Sequence, residues 1–236
     1  MRRVCAVLRS DFNGFNFKLT STTNVGQYRV EARRSASSVT SKSCWNCKKS
    51  GNQMICSDCG CLQDVQDKIN FFELLSFPTK FAVPTQELTQ RFRQLQARVH
   101  PDKYSNKTSR EQTNSADWSS LINKAYKTLS APVERGQYIL QLEGEAMPQD
   151  NSALNTTFLM AMMERNEEVE EAADSATLEQ LNTQIVKELE YNAKKLTTQF
   201  DSNDLLAIKQ TLVEMKYLLS IQSSIKKKQQ QLLSSS

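Results

Sequence analysis

The chain has 236 residues, enough for one or two modest domains. Hydrophobic residues make up 39% and charged residues 24%, which is typical of a soluble protein. There is no apolar run near the ~18 residues needed to span a bilayer, so no membrane partner is expected. Only six glycines and five prolines interrupt a sequence rich in Leu, Gln, Glu, Lys and Ala. This composition favours helices over strands and predicts an all-α fold.

The formal net charge of +4 is unevenly distributed along the chain. Residues 1–43 hold eight basic and two acidic side chains, a net charge of +6 that leaves −2 for the remainder. A basic excess outside the folded part argues against nucleic-acid binding by that part. Residues 1–38 are rich in Arg and Ser and poor in acids, which is typical of a mitochondrial transit peptide. The alternative is a disordered basic tail on a cytosolic protein.

Five of the six cysteines lie within residues 44–61, and no cysteine follows them. A disulfide-stabilised fold would distribute its cysteines, so the clustering indicates a metal site in a small module at residues 39–65. Four of the five form a C-x2-C-x8-C-x2-C pattern: Cys44, Cys47, Cys56 and Cys59. Four thiolates fill the tetrahedral shell of Zn²⁺ and leave no open position for catalysis. We therefore predict one structural zinc ion, whose binding supplies most of the folding energy of this module.

Two alternatives for the cysteines stay open. Cys61 can replace Cys59 through a C-x4-C pairing, or it can remain a free thiol. The same four thiolates can also hold an iron–sulfur cluster. A dithiol redox function is disfavoured because the usual βαβ context of that motif is missing.

Two predicted helices flank His100, the only histidine of the chain. After a short apolar run at residues 71–75, a helix is predicted from Pro84, with Arg91 and Arg98 beside a stripe formed by Leu88, Phe92, Leu95 and Val99. Pro101 ends this helix and places His100 at the break. A polar loop is expected as far as about residue 112. A second helix and, after Pro132, a further amphipathic piece follow, with apolar residues at Leu121, Ile122, Ala125, Tyr126, Leu129, Val133, Tyr138, Ile139 and Leu142.

Residues 152–224 predict three amphipathic helices separated by polar breaks at residues 174–177 and 201–204. Short connections make antiparallel neighbours, so we expect a three-helix bundle at residues 147–225 and a disordered tail at residues 226–236. The first helix has more apolar residues than one face can bury, since residues 158–163 are nearly all apolar and glutamates follow. The pattern fits a fuller core and an exposed, acid-bordered patch equally well.

The tripeptide His100, Pro101 and Asp102 between two helices resembles the signature of the J-domain family, and the residues at 72–75 and 122–130 strengthen the likeness. The resemblance implies a J-domain at residues 66–146 that binds a 70-kDa heat-shock chaperone and stimulates its ATP hydrolysis. Those roles fall to the tripeptide, in which Asp102 can pair with a chaperone arginine. Complementary positive charge would come from Arg91, Arg98 and Lys103. The alternative for each cation is a solvated helix face.

A zinc module and a J-domain before a three-helix bundle are together similar to the animal-type HscB family of iron–sulfur cluster co-chaperones, over residues 44–224. The resemblance implies a protein of the mitochondrial matrix, and it is compatible with an additional cytosolic pool. It would deliver the iron–sulfur scaffold protein to a mitochondrial 70-kDa chaperone and would not be an enzyme. Ala161 and Asn166 depart from the charged residues that relatives often carry. The scaffold-binding residues that the resemblance implies are Leu159, Met160, Met163, Glu164, Glu167 and Tyr217.

Other function classes fit the sequence less well. A general J-domain co-chaperone would bind many unfolded clients, which the selective acid-bordered patch at Leu159 argues against. A nucleic-acid binder built on the zinc module has Trp45, Lys48 and Lys49 nearby, but the remainder of the chain is net acidic. An enzyme is disfavoured by the lack of a phosphate loop, an open metal site or an activated nucleophile.

Overall fold

The computed structural model describes residues 43–66, 68–148 and 154–234. No strand forms in these ranges, where the only β pairings are isolated bridges from Ser43 to Ser50 and from Ile55 to Leu62. The predicted all-α fold is confirmed. The predicted transit peptide lies outside the described residues. The α-helices are α1 (Phe71–Leu74), α2 (Thr85–Val99), α3 (Ser109–Ser130), α4 (Pro132–Leu142), α5 (Thr156–Glu171), α6 (Ser175–Asp201) and α7 (Leu205–Ser234), with a 3-10 turn (Pro101–Tyr104) between α2 and α3.

Side-chain caps set the start of five helices, including α1, where Asn70 accepts from the Phe72 N–H. Asn155, Asp174 and Asp204 accept hydrogen bonds from backbone N–H groups in the first turns of α5, α6 and α7. The Thr177 N–H lowers the pKa of the Asp174 carboxyl, because it stabilises the charged form. Thr108 caps α3 in the same way, so the polar loop ends at residue 108 rather than near residue 112 as expected.

The helices α2 and α3 form an antiparallel hairpin. Hydrogen bonds join Thr89 to Tyr126, Gln96 to Ser119 and Ser115 to Val99, so the partners run in opposite order along the two helices. The predicted stripe on α2 faces inward, with its first and last members almost fully buried and the two between them partly buried. These contacts place residue 100 at the closed end of the hairpin, followed at once by the 3-10 turn.

One hydrophobic core joins this hairpin unit to the C-terminal helices. It includes Leu129 and Leu140 from the first unit and Leu196 and Leu212 from the second. At Gly136 of α4, an added Cβ would lie 2.7 Å from a methyl carbon of Leu212 on α7. The two helices therefore approach closely at this position, where any larger residue would require the Leu212 side chain to shift.

Arg135 fastens α4 to the end of α3. Its Nη1 donates to the Leu129 carbonyl at 2.5 Å, and its guanidinium lies 4.7 Å from the centre of the Phe81 ring. Burial lowers the pKa of Arg135 to about 10 because it disfavours the charged form, and the group is still charged at neutral pH.

The three C-terminal helices close around a second core, which contains Met162, Val169, Leu178, Ile185, Leu218, Ile221 and Ile225. The helix α7 continues to residue 234, so helix replaces the disordered tail expected from residue 226 onward. Ile225 is fully buried, Leu232 packs against the same core, and the Lys228 ammonium donates to the Glu170 carbonyl at 2.7 Å. These tertiary contacts outweigh the polar composition of the segment. None of the described helices is both long and apolar enough to cross a membrane.

Candidate functional site

The four cysteines of the motif meet at one point. Their sulfur atoms all lie within 4.8 Å of one another. The Sγ atoms of Cys44 and Cys59 are 3.6 Å apart, and those of Cys47 and Cys56 are 3.7 Å apart. Tetrahedral coordination with Zn–S bonds of about 2.3 Å requires sulfurs about 3.8 Å apart, so the set fits a zinc ion. The predicted ligand positions are confirmed as a site that can hold a metal.

Two similar turns present these cysteines. The Cys44 carbonyl accepts from the Lys48 N–H at 3.0 Å, and the Cys56 carbonyl accepts from the Gly60 N–H at 3.0 Å. Lys48 and Gly60 both have positive φ, +63° and +70°. Glycine adopts this backbone freely, whereas a lysine does so at some cost in strain, which metal binding at the turn can offset.

Cys61 is not part of the group of four. Its Sγ accepts a hydrogen bond from the Asn46 amide at 3.2 Å, and its own backbone N–H lowers the pKa of the Cys59 thiol to about 6. This hydrogen bond favours the thiolate form of Cys59, the form that binds a metal. The preference for Cys59 over Cys61 as the ligand agrees with this geometry.

We expect Cys56→Ser to abolish stoichiometric metal binding, because it removes one of four thiolates. Cys61→Ser is the matched control and should retain one ion per chain. Metal content of the purified proteins measures both outcomes, and visible absorption distinguishes colourless zinc from an iron–sulfur cluster. Loss of the metal in Cys61→Ser would show that the ligand set is wrong.

The His100 tripeptide projects from the closed end of the hairpin. His100 has φ −57° and ψ 131°, outside helical values, and its Nδ1 accepts from the Asp102 N–H at 3.3 Å. The side chains of His100 and Asp102 are 55% and 89% exposed. Besides the hydrogen bond to the His100 Nδ1, the two side chains approach each other to 3.5 Å. Both groups are therefore free to meet a partner.

The backbone behind the tripeptide is firmly held. Pro101 leaves the last carbonyls of α2 without helical donors. The Ser115 hydroxyl donates to the Val99 carbonyl at 2.6 Å, and the Tyr104 hydroxyl donates to the Arg98 carbonyl at 3.3 Å. Burial raises the pKa of Tyr104 because it disfavours the phenolate, so this donor stays protonated.

The three cations predicted to face the chaperone, Arg91, Arg98 and Lys103, have different environments in the structure. Arg98 and Lys103 are exposed next to the tripeptide. Arg91 instead donates to the carbonyls of Leu75 and Ser76, pairs with Glu87 and lies 4.1 Å from the centre of the Phe77 ring. Arg91 thus fastens the loop after α1 to α2, which a solvated or partner-binding cation would not do.

Sequence reasoning missed Arg93 as a candidate contact. It is exposed on the outer face of α2, together with Gln90, Gln94 and Ala97. The signal was present in the apolar stripe, since residues opposite that stripe must face solvent.

We expect Arg91→Gln to lower the free energy of unfolding by about 1–2 kcal/mol, because the Leu75 and Ser76 carbonyls lose their donor and the Phe77 ring loses its cation–π contact. Arg93→Gln is the matched control and should change it by less than about 0.5 kcal/mol. Urea unfolding with an unchanged m-value measures both. Equal effects of the two substitutions would contradict the structural role given to Arg91.

A second exposed surface lies on α5. Met160 and Met163 are 65% and 64% exposed, whereas Met162 between them is 3% exposed and belongs to the bundle core. Leu159 is partly buried, and Glu164 and Glu167 are exposed. Both explanations of the apolar excess therefore apply: Met162 fills the core, and Met160 and Met163 form an exposed patch.

Tyr217 of α7 contacts α5 at Phe158. Its ring meets that of Phe158 edge-to-face, with centroids 6.1 Å apart. Arg165 forms a two-pronged ion pair with Glu188 at 2.8 and 2.7 Å, which holds α5 against α6. Leu159, Met160 and Met163 lie on the outer side of α5 and are called the methionine surface, whereas Tyr217 packs on the core side of the helix with Phe158.

Comparison with known families and proteins agrees with this architecture. The DnaJ domain family matches residues 70–138, and the family described as the HSCB C-terminal oligomerisation domain matches residues 154–226. The iron–sulfur cluster co-chaperone protein HscB of Mus musculus is 33% identical over 189 residues, covering 78% of this chain and 81% of the mouse protein. The Homo sapiens protein of the same name is 32% identical over 191 residues, with the same coverage.

Solved structures give the same result. The crystal structure of human co-chaperone protein HscB matches with a TM-score of 0.73 and 32% identity, covering 79% of this chain and 98% of the human one. The chaperone HscB from Vibrio cholerae matches with a TM-score of 0.61 and 29% identity, covering 70% of this chain and 99% of that one.

Proposed function

The chain belongs to the HscB family of iron–sulfur cluster co-chaperones, and from this premise we propose that it delivers an iron–sulfur scaffold protein to a 70-kDa heat-shock chaperone. One observation carries the proposal. Two exposed surfaces, the His100 tripeptide and the methionine surface, lie in the hairpin unit and in the bundle, which α7 joins because it contributes Leu212 to the first core and Leu218 to the second. One protein can thus hold a client and a chaperone at once.

The chaperone contact is assigned to His100, Pro101 and Asp102. The exposed Asp102 carboxylate can accept a charge-assisted hydrogen bond from an arginine of the chaperone. Arg93, Arg98 and Lys103 provide positive charge around it, which mainly speeds association and sets orientation. Arg91 is left out of this surface because its guanidinium is engaged with the loop at residues 75–77.

The scaffold contact is assigned to the methionine surface and its acidic border at Glu164 and Glu167. Exposed methionines suit a partner surface because their unbranched side chains adapt to the partner's shape. The glutamates would favour a basic edge on the scaffold.

The remaining assignments follow from the same premise. The cysteine cluster holds zinc as a structural ion, supported by sulfur spacings that fit a tetrahedral site. The protein acts in the mitochondrial matrix after removal of an N-terminal presequence, supported by the basic, acid-poor composition of residues 1–38. It is a co-chaperone and carries out no chemical step of its own.

The test is the steady-state ATPase rate of a mitochondrial 70-kDa chaperone with this protein, with and without the scaffold protein. We expect stimulation that rises further when the scaffold is added, because both partners are then engaged. Stimulation that is indifferent to the scaffold but increases with unfolded peptides would instead support a general co-chaperone. No stimulation would refute the chaperone assignment.

A further inference from the structure

A three-residue strap, Leu62, Gln63 and Asp64, joins the cysteine module to the hairpin. The Leu62 carbonyl accepts from the Asn114 amide at 3.0 Å, and the Gln63 carbonyl accepts from the Trp118 indole at 2.7 Å. Asp64 receives two hydrogen bonds from the Arg110 guanidinium, at 3.0 and 2.5 Å. The strap is thereby fixed along two turns of α3.

The Leu62 side chain reaches the back of the His100 tripeptide. It is fully buried in a cluster with Val99, Tyr104, Trp118 and Ile122. Val99 is the last residue of α2, and Tyr104 is the last residue of the 3-10 turn. The tripeptide lies between these two residues, so the packing of Leu62 bears on both of its ends.

The strap is itself held by the cysteine module. The Gln63 N–H donates to the Met54 carbonyl at 2.9 Å, and Ile55 and Leu62 form a β-bridge. The Cys56 N–H donates to the Cys61 carbonyl at 3.0 Å, directly before the strap. Because so short a module has little core of its own, a bound metal is what keeps this pairing in place.

The strap lies outside the larger core. The larger core, which contains Phe72, Leu129 and Leu140, includes no residue of the module. Loss of the strap should therefore loosen the closed end of the hairpin and leave the other helices in place.

We propose that Leu62 is a positioning residue for the His100 tripeptide, and that metal binding at the cysteines reaches the chaperone contact through it. The proposal rests on the proposed function, since the tripeptide must first act on a chaperone. It gives the cysteine module a role beyond its own stability. A small error in the backbone between Val99 and Tyr104 would move Asp102 away from the geometry that it needs with the chaperone.

The experiment compares Leu62→Ala, the conservative Leu62→Met and the control Leu140→Ala in the full chain. Leu140 is also fully buried but lies in the other core cluster. Amide hydrogen exchange at residues 100–107 is measured without a chaperone, where the Lys103 and Lys107 amides donate to the His100 and Tyr104 carbonyls. The ATPase assay then measures two quantities, the maximal stimulation and the concentration of this protein that gives half of it.

We expect Leu62→Ala to speed exchange at these two amides on the order of tenfold, with no change in the cores of α6 and α7. Maximal stimulation should fall by about three- to tenfold, and Leu62→Met should restore most of it. Wild-type protein treated with a metal chelator should show the same increase in exchange at residues 100–107 as Leu62→Ala. In Leu140→Ala, exchange at residues 100–107 relative to exchange in the rest of the hairpin should be the same as in wild type.

Exchange at residues 100–107 that is unchanged in Leu62→Ala would overturn the proposal. Faster exchange with full stimulation would overturn it too, because the tripeptide would then not depend on its support. If wild-type protein failed to stimulate any 70-kDa chaperone, the proposed function would fail instead, while the exchange data would still decide whether Leu62 holds the turn.

Discussion

His100→Gln is expected to reduce chaperone ATPase stimulation to the basal rate while leaving the fold intact. The side chain is 55% exposed, and its only hydrogen bond is with the Asp102 N–H inside the same turn. A residue that contributes so little to packing should shift Tm by no more than about 2 °C when replaced. A large loss of activity would then reflect a lost partner contact.

Two measurements make this result decisive. Scaffold binding by the variant should equal that of wild type, since the methionine surface lies on another helix. Lys107→Gln is a matched control, exposed just beyond the same turn, and should retain most of the stimulation. Full activity of His100→Gln would remove the tripeptide from the mechanism.

The second large effect is expected on the methionine surface. Met163→Ala should weaken scaffold binding about tenfold, because truncating an apolar residue at the centre of an interface costs ~1–2 kcal/mol or more. The double variant with Met160→Ala should weaken it further. Neither change should destabilise the fold much, since both side chains are about two thirds exposed.

Met162→Ala is the matched control for this prediction. Its side chain is 3% exposed within the bundle core, so the substitution should lower the free energy of unfolding by about 2–4 kcal/mol. Where the protein remains folded, scaffold affinity should be close to that of wild type. Calorimetric titration with the scaffold and urea unfolding measure the two effects separately. The reverse pattern, with binding lost in Met162→Ala alone, would place the scaffold elsewhere.

Local patterns were enough to predict several features from the sequence. Cysteine spacing predicts the four ligand positions because two short turns must each present two thiolates. The apolar stripe of α2 predicts its buried face, and Pro101 predicts the break at His100. In each case the cause lies within a few residues of its effect.

Features that depend on distant contacts could not be predicted in this way. The engagement of Arg91 depends on where the loop at residues 75–77 comes to lie. The helical end of α7 depends on the burial of Ile225 and Leu232 by other helices. The strap gives no periodic signal, because its hydrogen bonds are made by its backbone carbonyls and by Asp64 with side chains of α3.

The close approach of α4 and α7 at Gly136 has a consequence for how two bound partners meet. The two helices are in contact there, so this contact helps to set the angle between the hairpin and the bundle. If the chain holds a scaffold and a chaperone as proposed, the effective concentration of one partner near the other would depend on this angle. A substitution at Gly136 would then change client transfer with neither binding surface altered.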